Sequence, residues 1–200
     1  MKRIVTAACC LFISGLAQAQ QNSQGWYLGG NWGKSKVDTG ITAVTATLDE
    51  KDSGYKVFLG HKFSDIFSAE FHYTDAGEAS LSGNNGSTFR IDGTLYEFTA
   101  NNAKISASGT SYGLSGLVYL PVNETVKPFA RLGLHRWENK FNVTSSDYNG
   151  SVKFTGTDPV YGVGVDIAIT KSVSARLEHE IYKADDDKVS FTSVGVFFSF

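Results

Sequence analysis

Eight stretches of the chain alternate between apolar and polar positions with period two, the pattern of strands that bury one face. "GWYLGGNWG" puts Trp26, Leu28, Gly30 and Trp32 on one face, and "YKVFLGHKF" does the same with Tyr55, Val57, Leu59, His61 and Phe63. "FSAEFHY" aligns Phe67, Ala69, Phe71 and Tyr73, and "YGLSGLVYL" aligns Tyr112, Leu114, Gly116, Val118 and Leu120. A fifth segment begins near Val126 and carries Ala130, Leu132 and Leu134. "YGVGVDIAI" (Tyr161, Val163, Val165, Ile167, Ile169) and "VSARLEHEI" (Val173, Ala175, Leu177, His179, Ile181) follow, and the chain closes on "VGVFFSF", with Val194, Val196, Phe198 and Phe200 in phase. No helical period is sustained anywhere, which predicts an all-β fold.

The connections alternate in length. Long loops are expected at about 33–54, 74–111, 138–159 and 183–189, while "SDI", "PVNET" and "TKS" are tight turns. Long and short connections at opposite ends predict an eight-stranded antiparallel up-and-down transmembrane β-barrel. Inside the longest loop, Asp92-Gly93 sits between two β-prone runs and reads as a hairpin projecting above the membrane.

Periodicity does not say which face is wet, because a soluble barrel turns its aliphatic face inward around a ligand cavity and a membrane barrel turns it outward. The aromatic residues decide. Trp32, Tyr55, Tyr73, Tyr112 and Tyr161 lie on the apolar face at the long-loop ends of their strands, and Trp26, Phe63, Phe67, Phe198 and Phe200 at the short-turn ends. Two aromatic girdles flanking a band of Leu, Val, Ile and Ala fit a lipid-facing wall, and a soluble barrel has no reason to sort aromatics by depth.

The opposite face would then line a lumen just wide enough for side chains to fill. Lys56, Glu70, Arg131, Asp166, Arg176, Glu178 and Glu180 fall on it. Buried charges must pair, so a salt-bridge network centred on Glu70, Arg176 and Glu178 is expected, with glycines leaving space for the long charged chains. His72 and His135 share this phase and are expected to join the network, whereas His179 falls on the lipid face without an evident role.

Composition narrows the compartment. Lys2 and Arg3, the apolar run Ile4 to Leu16 and Ala17-x-Ala19 read as a secretory signal peptide over 1–19, with the barrel over 20–200. Cys9 and Cys10 both lie in that leader, so the mature chain is expected to hold neither disulfides nor thiolate chemistry. Without Lys2 and Arg3 the 18 basic residues fall to 16 against 20 acidic, a balance that argues against nucleic acid. Pro121, Pro128 and Pro159 sit at turns or strand starts.

"GWYLGGNWGKSKVD", "SGYKVFLGHKFSD", "PFARLGLHRWE", "VYGVGVDIAITKSVSARLEHEIY" and "FTSVGVFFSF" together resemble the OmpA-like family of small outer membrane β-barrels over essentially the whole mature chain, with unmatched loops. The resemblance implies a Gram-negative outer membrane protein with eight antiparallel strands and both termini in the periplasm. It also implies that Phe200 is the signal read by the outer membrane assembly machinery. Larger members carry a peptidoglycan-binding domain after the barrel; because this chain stops at Phe200, that anchoring role is not carried over.

Chemistry is sparse. His61, His72, His135 and His179 form no metal-binding spacing, so no catalytic residue, cofactor or metal is assigned. A lipid A-modifying enzyme would need a Ser, a His and an acid together at the membrane rim, and His179 and Glu180 fall on opposite faces of one strand. "DDDK" at Asp185–Lys188 could hold a divalent cation bridging lipopolysaccharide phosphates, although a solvated loop accounts for it as well. The expected function is therefore a non-enzymatic outer membrane barrel acting in envelope integrity or in adhesion through its extracellular loops. Its partners would be outer membrane lipid and lipopolysaccharide, the assembly machinery and an unknown extracellular ligand. The alternatives are a narrow porin-like channel through the polar lumen and a lipid A-modifying enzyme.

Overall fold

The alternating segments are strands in the computed structural model, which describes residues 25–37, 40–120, 122–185 and 187–200. The leader expected over 1–19, the turn residue Pro121 and Asp186 of the last loop lie outside the described residues. In chain order the strands are β1 (Gly25–Val37), β2 (Ile41–Ala43), β3 (Thr47–Asp49), β4 (Lys51–Lys62), β5 (Phe67–Gly83) and β6 (Thr88–Ile91). They continue as β7 (Thr94–Glu97), β8 (Ala103–Tyr119), β9 (Val126–Thr144), β10 (Asn149–Ala168), β11 (Val173–Ala184) and β12 (Asp187–Ser199).

Eight of these pair antiparallel around a closed ring, β5-β4-β1-β12-β11-β10-β9-β8, and β8 returns to β5. The two ends of the chain make the seam: β1 pairs with β12 from Tyr27–Ser199 to Val37–Val189, and Trp26 and Phe200 exchange backbone hydrogen bonds at 3.1 and 2.9 Å. A closed ring leaves no unpaired edge, which is what backbone polar groups need in hydrocarbon. Turns at one end are tight. At Ser64–Ile66 the Phe67 carbonyl accepts from Phe63 and Ser64, and after Ile169 the Val173 carbonyl accepts from Ile169 and Thr170.

At the other end the expected loops are mostly strand. β9 and β10 stay paired from Ile167–Val126 up to Asn149–Thr144, and β11 and β12 up to Ala184–Asp187. Above the lipid both faces of a strand meet water, so alternation fades there while the backbone ladder continues. A sequence reading therefore ends each strand too early. The longest connection folds further: β6 and β7 form the hairpin about Asp92-Gly93, whose φ values of 49° and 81° are those of a tight turn with both central residues left-handed. With β2 they make a small sheet that covers Leu81 and Ala103 through Phe89 and Phe98, a lid at the long-loop end with its own apolar core.

Candidate functional site: the ionic lumen

Period-two alternation sends every second side chain of the eight strands into the barrel. Lys56 enters from β4, Glu70 from β5, Arg131 from β9, Asp166 from β10, and Arg176, Glu178 and Glu180 from successive inward positions of β11. All seven are buried. Arg176 lies directly opposite Asp166 in the ladder and grips it with Nε at 2.7 Å and Nη2 at 2.9 Å, while Nη1 donates to Glu70 at 2.6 Å. Arg131 donates to the other Glu70 oxygen and, through Nε, to Glu178 at 2.7 Å, with Glu180 at 3.4 Å. Lys56 bridges Glu178 and Glu180, the latter at 2.7 Å.

The arrangement differs from the expected centre in one respect. Arg176 faces Glu70 and Asp166, and it is Arg131 that stands between Glu70 and Glu178. Neutral donors complete the carboxylates: Tyr27 Oη to Glu70 at 3.2 Å, Asn31 Nδ2 to Glu178 at 3.3 Å and Tyr182 Oη to Glu180 at 3.0 Å. Three cations thus meet four carboxylates, and the low dielectric of the lumen makes each remaining lone pair expensive to leave without a donor.

Rings seal the network from both ends, which the charge-based reading of this face missed. Towards the tight turns lie Tyr27, Phe58 and Phe197 on one side and Leu117, Tyr119 and Phe129 on the other. The Arg176 guanidinium sits 4.7 Å from the Phe58 ring, 4.8 Å from Phe129, 5.0 Å from Phe197 and 5.8 Å from Tyr27, a cation held among four rings. Towards the lid, Val160, Tyr182 and Phe191 close the other end. Two of the lumen glycines make room for these rings, since a Cβ on Gly60 would lie 2.0 Å from the Tyr27 ring and one on Gly164 2.4 Å from that of Phe129. A Cβ on Gly162 would lie 3.1 Å from Glu180 Cγ, so that glycine clears a charged chain as expected. The signal was legible in the alternation, since Tyr27, Phe58, Phe129 and Phe197 share parity with Asn31, Lys56, Arg131 and Gly195.

The histidines stand apart from the network. His72 is buried, its ring nitrogens find no hydrogen-bond partner among the described residues, and its ring meets Tyr182 edge-on at 6.0 Å. His135 shares its Nε2 with the Lys183 carbonyl oxygen at 2.8 Å, outside the ion pairs. His179 lies on the outer wall, hydrogen-bonded through Nδ1 to Thr192 at 2.7 Å, two rungs below the Ile181–Tyr161 pair and opposite Val163. Glu180 points away from it into the lumen. Above the span, Asp158 accepts from Trp137 Nε1 at 2.7 Å and from the Asp185 backbone at 3.2 Å, and these two donors hold its carboxyl below the usual carboxylate range.

On the outer surface, Trp26, Trp32, Tyr55, Phe63, Phe67, Tyr73, Tyr112, Phe198 and Phe200 are exposed by 38% to 61%, with Tyr161 half-buried among them. Between them run Leu28, Leu59, Leu114, Val118, Leu132 and Val196, all exposed. A predominantly apolar wall around an ionic interior is the polarity of a barrel dissolved in lipid.

Known proteins share this build. The family described as "Outer membrane protein beta-barrel domain" matches residues 5–200. Outer membrane protein A of Escherichia coli O157:H7 is 26% identical over 166 residues, covering 82% of this chain and 42% of that protein. That of Shigella flexneri is 27% identical over 170 residues, covering 82% and 43%. The chain therefore spans less than half the length of the curated relatives it matches. Among solved structures, Ail, the attachment invasion locus protein of Yersinia pestis, superposes with a TM-score of 0.54 at 17% identity, covering 88% of this chain and 99% of that one. The N-terminal β-barrel domain of Pseudomonas aeruginosa OprF gives 0.52 at 15% identity, covering 88% and 98%.

Proposed function

The chain belongs to the outer membrane protein β-barrel domain family, a bacterial outer membrane barrel, and from that premise we propose that it acts as a non-enzymatic structural and surface-interaction protein. The observation that carries the proposal is the division of the molecule along its axis. The membrane section is filled with buried charges and rings, and in this reading the longest strands and the separately cored lid stand outside the cell. A rigid scaffold presenting folded loops is the usual way a small barrel offers a binding surface. In this reading the exposed strand β7, with Leu95 on the face away from the lid core and Tyr96 stacked on Phe89, meets the extracellular partner. Lipid and lipopolysaccharide contact the wall, and Phe200 serves as the address for the assembly machinery.

The test is a chain lacking residues 85–98 beside the intact protein, both displayed on cells. Loss of cell-surface attachment together with an unchanged detergent sensitivity assigns the role to the lid. Raised detergent sensitivity with attachment intact assigns it to the barrel. A single-channel conductance in planar bilayers would support the porin-like alternative instead, and a changed lipid A mass profile on overexpression the enzymatic one. What supports a closed lumen is that a water path would have to cross both ring layers as well as the ion pairs.

A further inference from the structure

The outer wall of β1, β4 and β12 carries two features that neither the lumen nor the lid uses. The first is a shallow groove of about 470 Å³ on the lipid side, walled by Trp32, Tyr55, Val57, Val194 and Val196. Its floor is Gly30, an outward position directly opposite Val57 and Val196. A Cβ there would find only the Lys56 carbonyl oxygen, at 3.4 Å, so the hollow exists because this one position has no side chain. In lipid, a narrow apolar hollow of this kind is filled by a hydrocarbon chain.

The second feature stands immediately above the first. Two residues beyond Trp32, Lys34 lies opposite Ser53 and donates to its Oγ at 2.8 Å. Two residues further, Lys36 lies directly opposite Lys51 across the same ladder. Like charges in directly opposed positions destabilise an antiparallel pair, so this register asks for an anion between them. Neither β1 nor β4 has an acid at an outward position, and Asp49 of β3, two residues before Lys51, accepts the Lys51 backbone N–H at 3.2 Å. The single acid of the two strands, Asp52, is opposite Ser35 on the inner face, where it accepts the backbone N–H of Glu78 at 2.8 Å. At roughly 3.4 Å per residue and a tilt near 45°, Lys34 and Lys36 stand about 5 and 10 Å above Trp32 along the barrel axis. With Trp32 and Tyr55 in the aromatic girdle, these cations occupy the headgroup layer of the outer leaflet.

We propose that this composite surface binds a phosphate-bearing lipid of the outer leaflet. One acyl chain lies in the groove over Gly30, and the headgroup phosphate lies among Lys34, Lys36 and Lys51. The inference rests on the envelope-stabilising half of the proposed function and gives it a site. It is tested by native mass spectrometry of the detergent-purified protein with lipid A, with dephosphorylated lipid A, and with phosphatidylethanolamine as competitor. The intact protein is expected to retain phosphorylated lipid A preferentially. Lys36→Gln with Lys51→Gln should weaken that retention about 25-fold, near fivefold per charge. Gly30→Leu should weaken phosphorylated and dephosphorylated forms alike, while Lys171→Gln, exposed in the tight turn at the opposite end of the barrel, changes neither.

Three results would overturn the proposal: equal retention of both lipid A forms by the intact protein, wild-type retention by the double lysine variant, or displacement of the lipid by millimolar inorganic phosphate alone. A heat-modifiable band on unboiled gels, run for every variant, separates the two levels. A variant that keeps the band and loses the lipid speaks to the site. An intact chain with no band at all would overturn the barrel reading itself.

Discussion

Replacing Arg176 by methionine isolates what the lumen network contributes. The guanidinium is fully buried, binds Asp166 through two hydrogen bonds at 2.7 and 2.9 Å and Glu70 through one at 2.6 Å. Glu70 would keep Arg131 and Tyr27 as partners, whereas Asp166, itself buried, has its ion pair with Arg176 alone among the described residues. The dominant effect is then one uncompensated buried carboxylate, a loss of about 3–5 kcal/mol. The ring contacts matter less, because a methionine thioether recovers part of the aromatic attraction, about 0.3–1.5 kcal/mol per contact. With a urea slope of about 2 kcal/mol per molar, the unfolding midpoint in lipid vesicles, followed by tryptophan fluorescence, should fall by roughly 1.5–2.5 M. Adding Asp166→Leu removes the stranded charge and should restore most of the midpoint, since an apolar replacement of an entire buried pair is close to neutral. A single variant within about 1 kcal/mol of wild type, or a double variant no better than the single, would refute this account of the network.

Further outcomes follow from the sealing layers, the lid and the clamp above the span. Phe58→Ala should cost about 3–5 kcal/mol and raise bilayer conductance by thinning the layer near the tight turns; unchanged conductance would place the seal elsewhere. Gly60→Ala drives a methyl into the Tyr27 ring and should destabilise by about 1–3 kcal/mol in the same urea assay, an effect that Tyr27→Phe leaves in place and Tyr27→Leu relieves. Phe89→Ala removes a ring from the lid core, so limited proteolysis should cut the connection between β5 and β8 while the barrel keeps its heat-modifiable band. Because the folded pKa of Asp158 is depressed, its contribution is complete above the ordinary carboxylate value of about 4 and disappears as pH falls through the lower folded value. Hydrogen-exchange protection near Trp137 should accordingly hold from neutral pH down to about pH 4 and decline below it, with the decline absent in Asp158→Asn.

Much of this molecule was legible along the chain. Strand identity, antiparallel order and outward polarity follow from alternation, because a barrel in lipid has only two environments and successive residues sample them in turn. The outward placement of Trp26, Trp32, Tyr55 and the other exposed aromatics follows too, since parity within a strand fixes the face a side chain takes. The seven lumen charges could be listed from parity alone for the same reason. Which of them pair could not. Lys56 and Glu178 are 122 residues apart and Arg131 and Glu70 61, and only ring closure and the stagger between strands bring them to one level.

The same holds for the rings inside the barrel. Phe58 and Phe197 read as ordinary β-formers until closure sets them around Arg176, and Gly60 reads as a weak strand residue until the Tyr27 ring crosses it. The strands of the outer extension escaped notice because water on both faces removes the alternation on which recognition depends, and there only the backbone ladder remains to be seen. Local pattern determined which way each side chain points, since that is a property of the single strand. Which side chain it meets belongs to the closed ring, because contact across the lumen depends on the register of all eight strands at once.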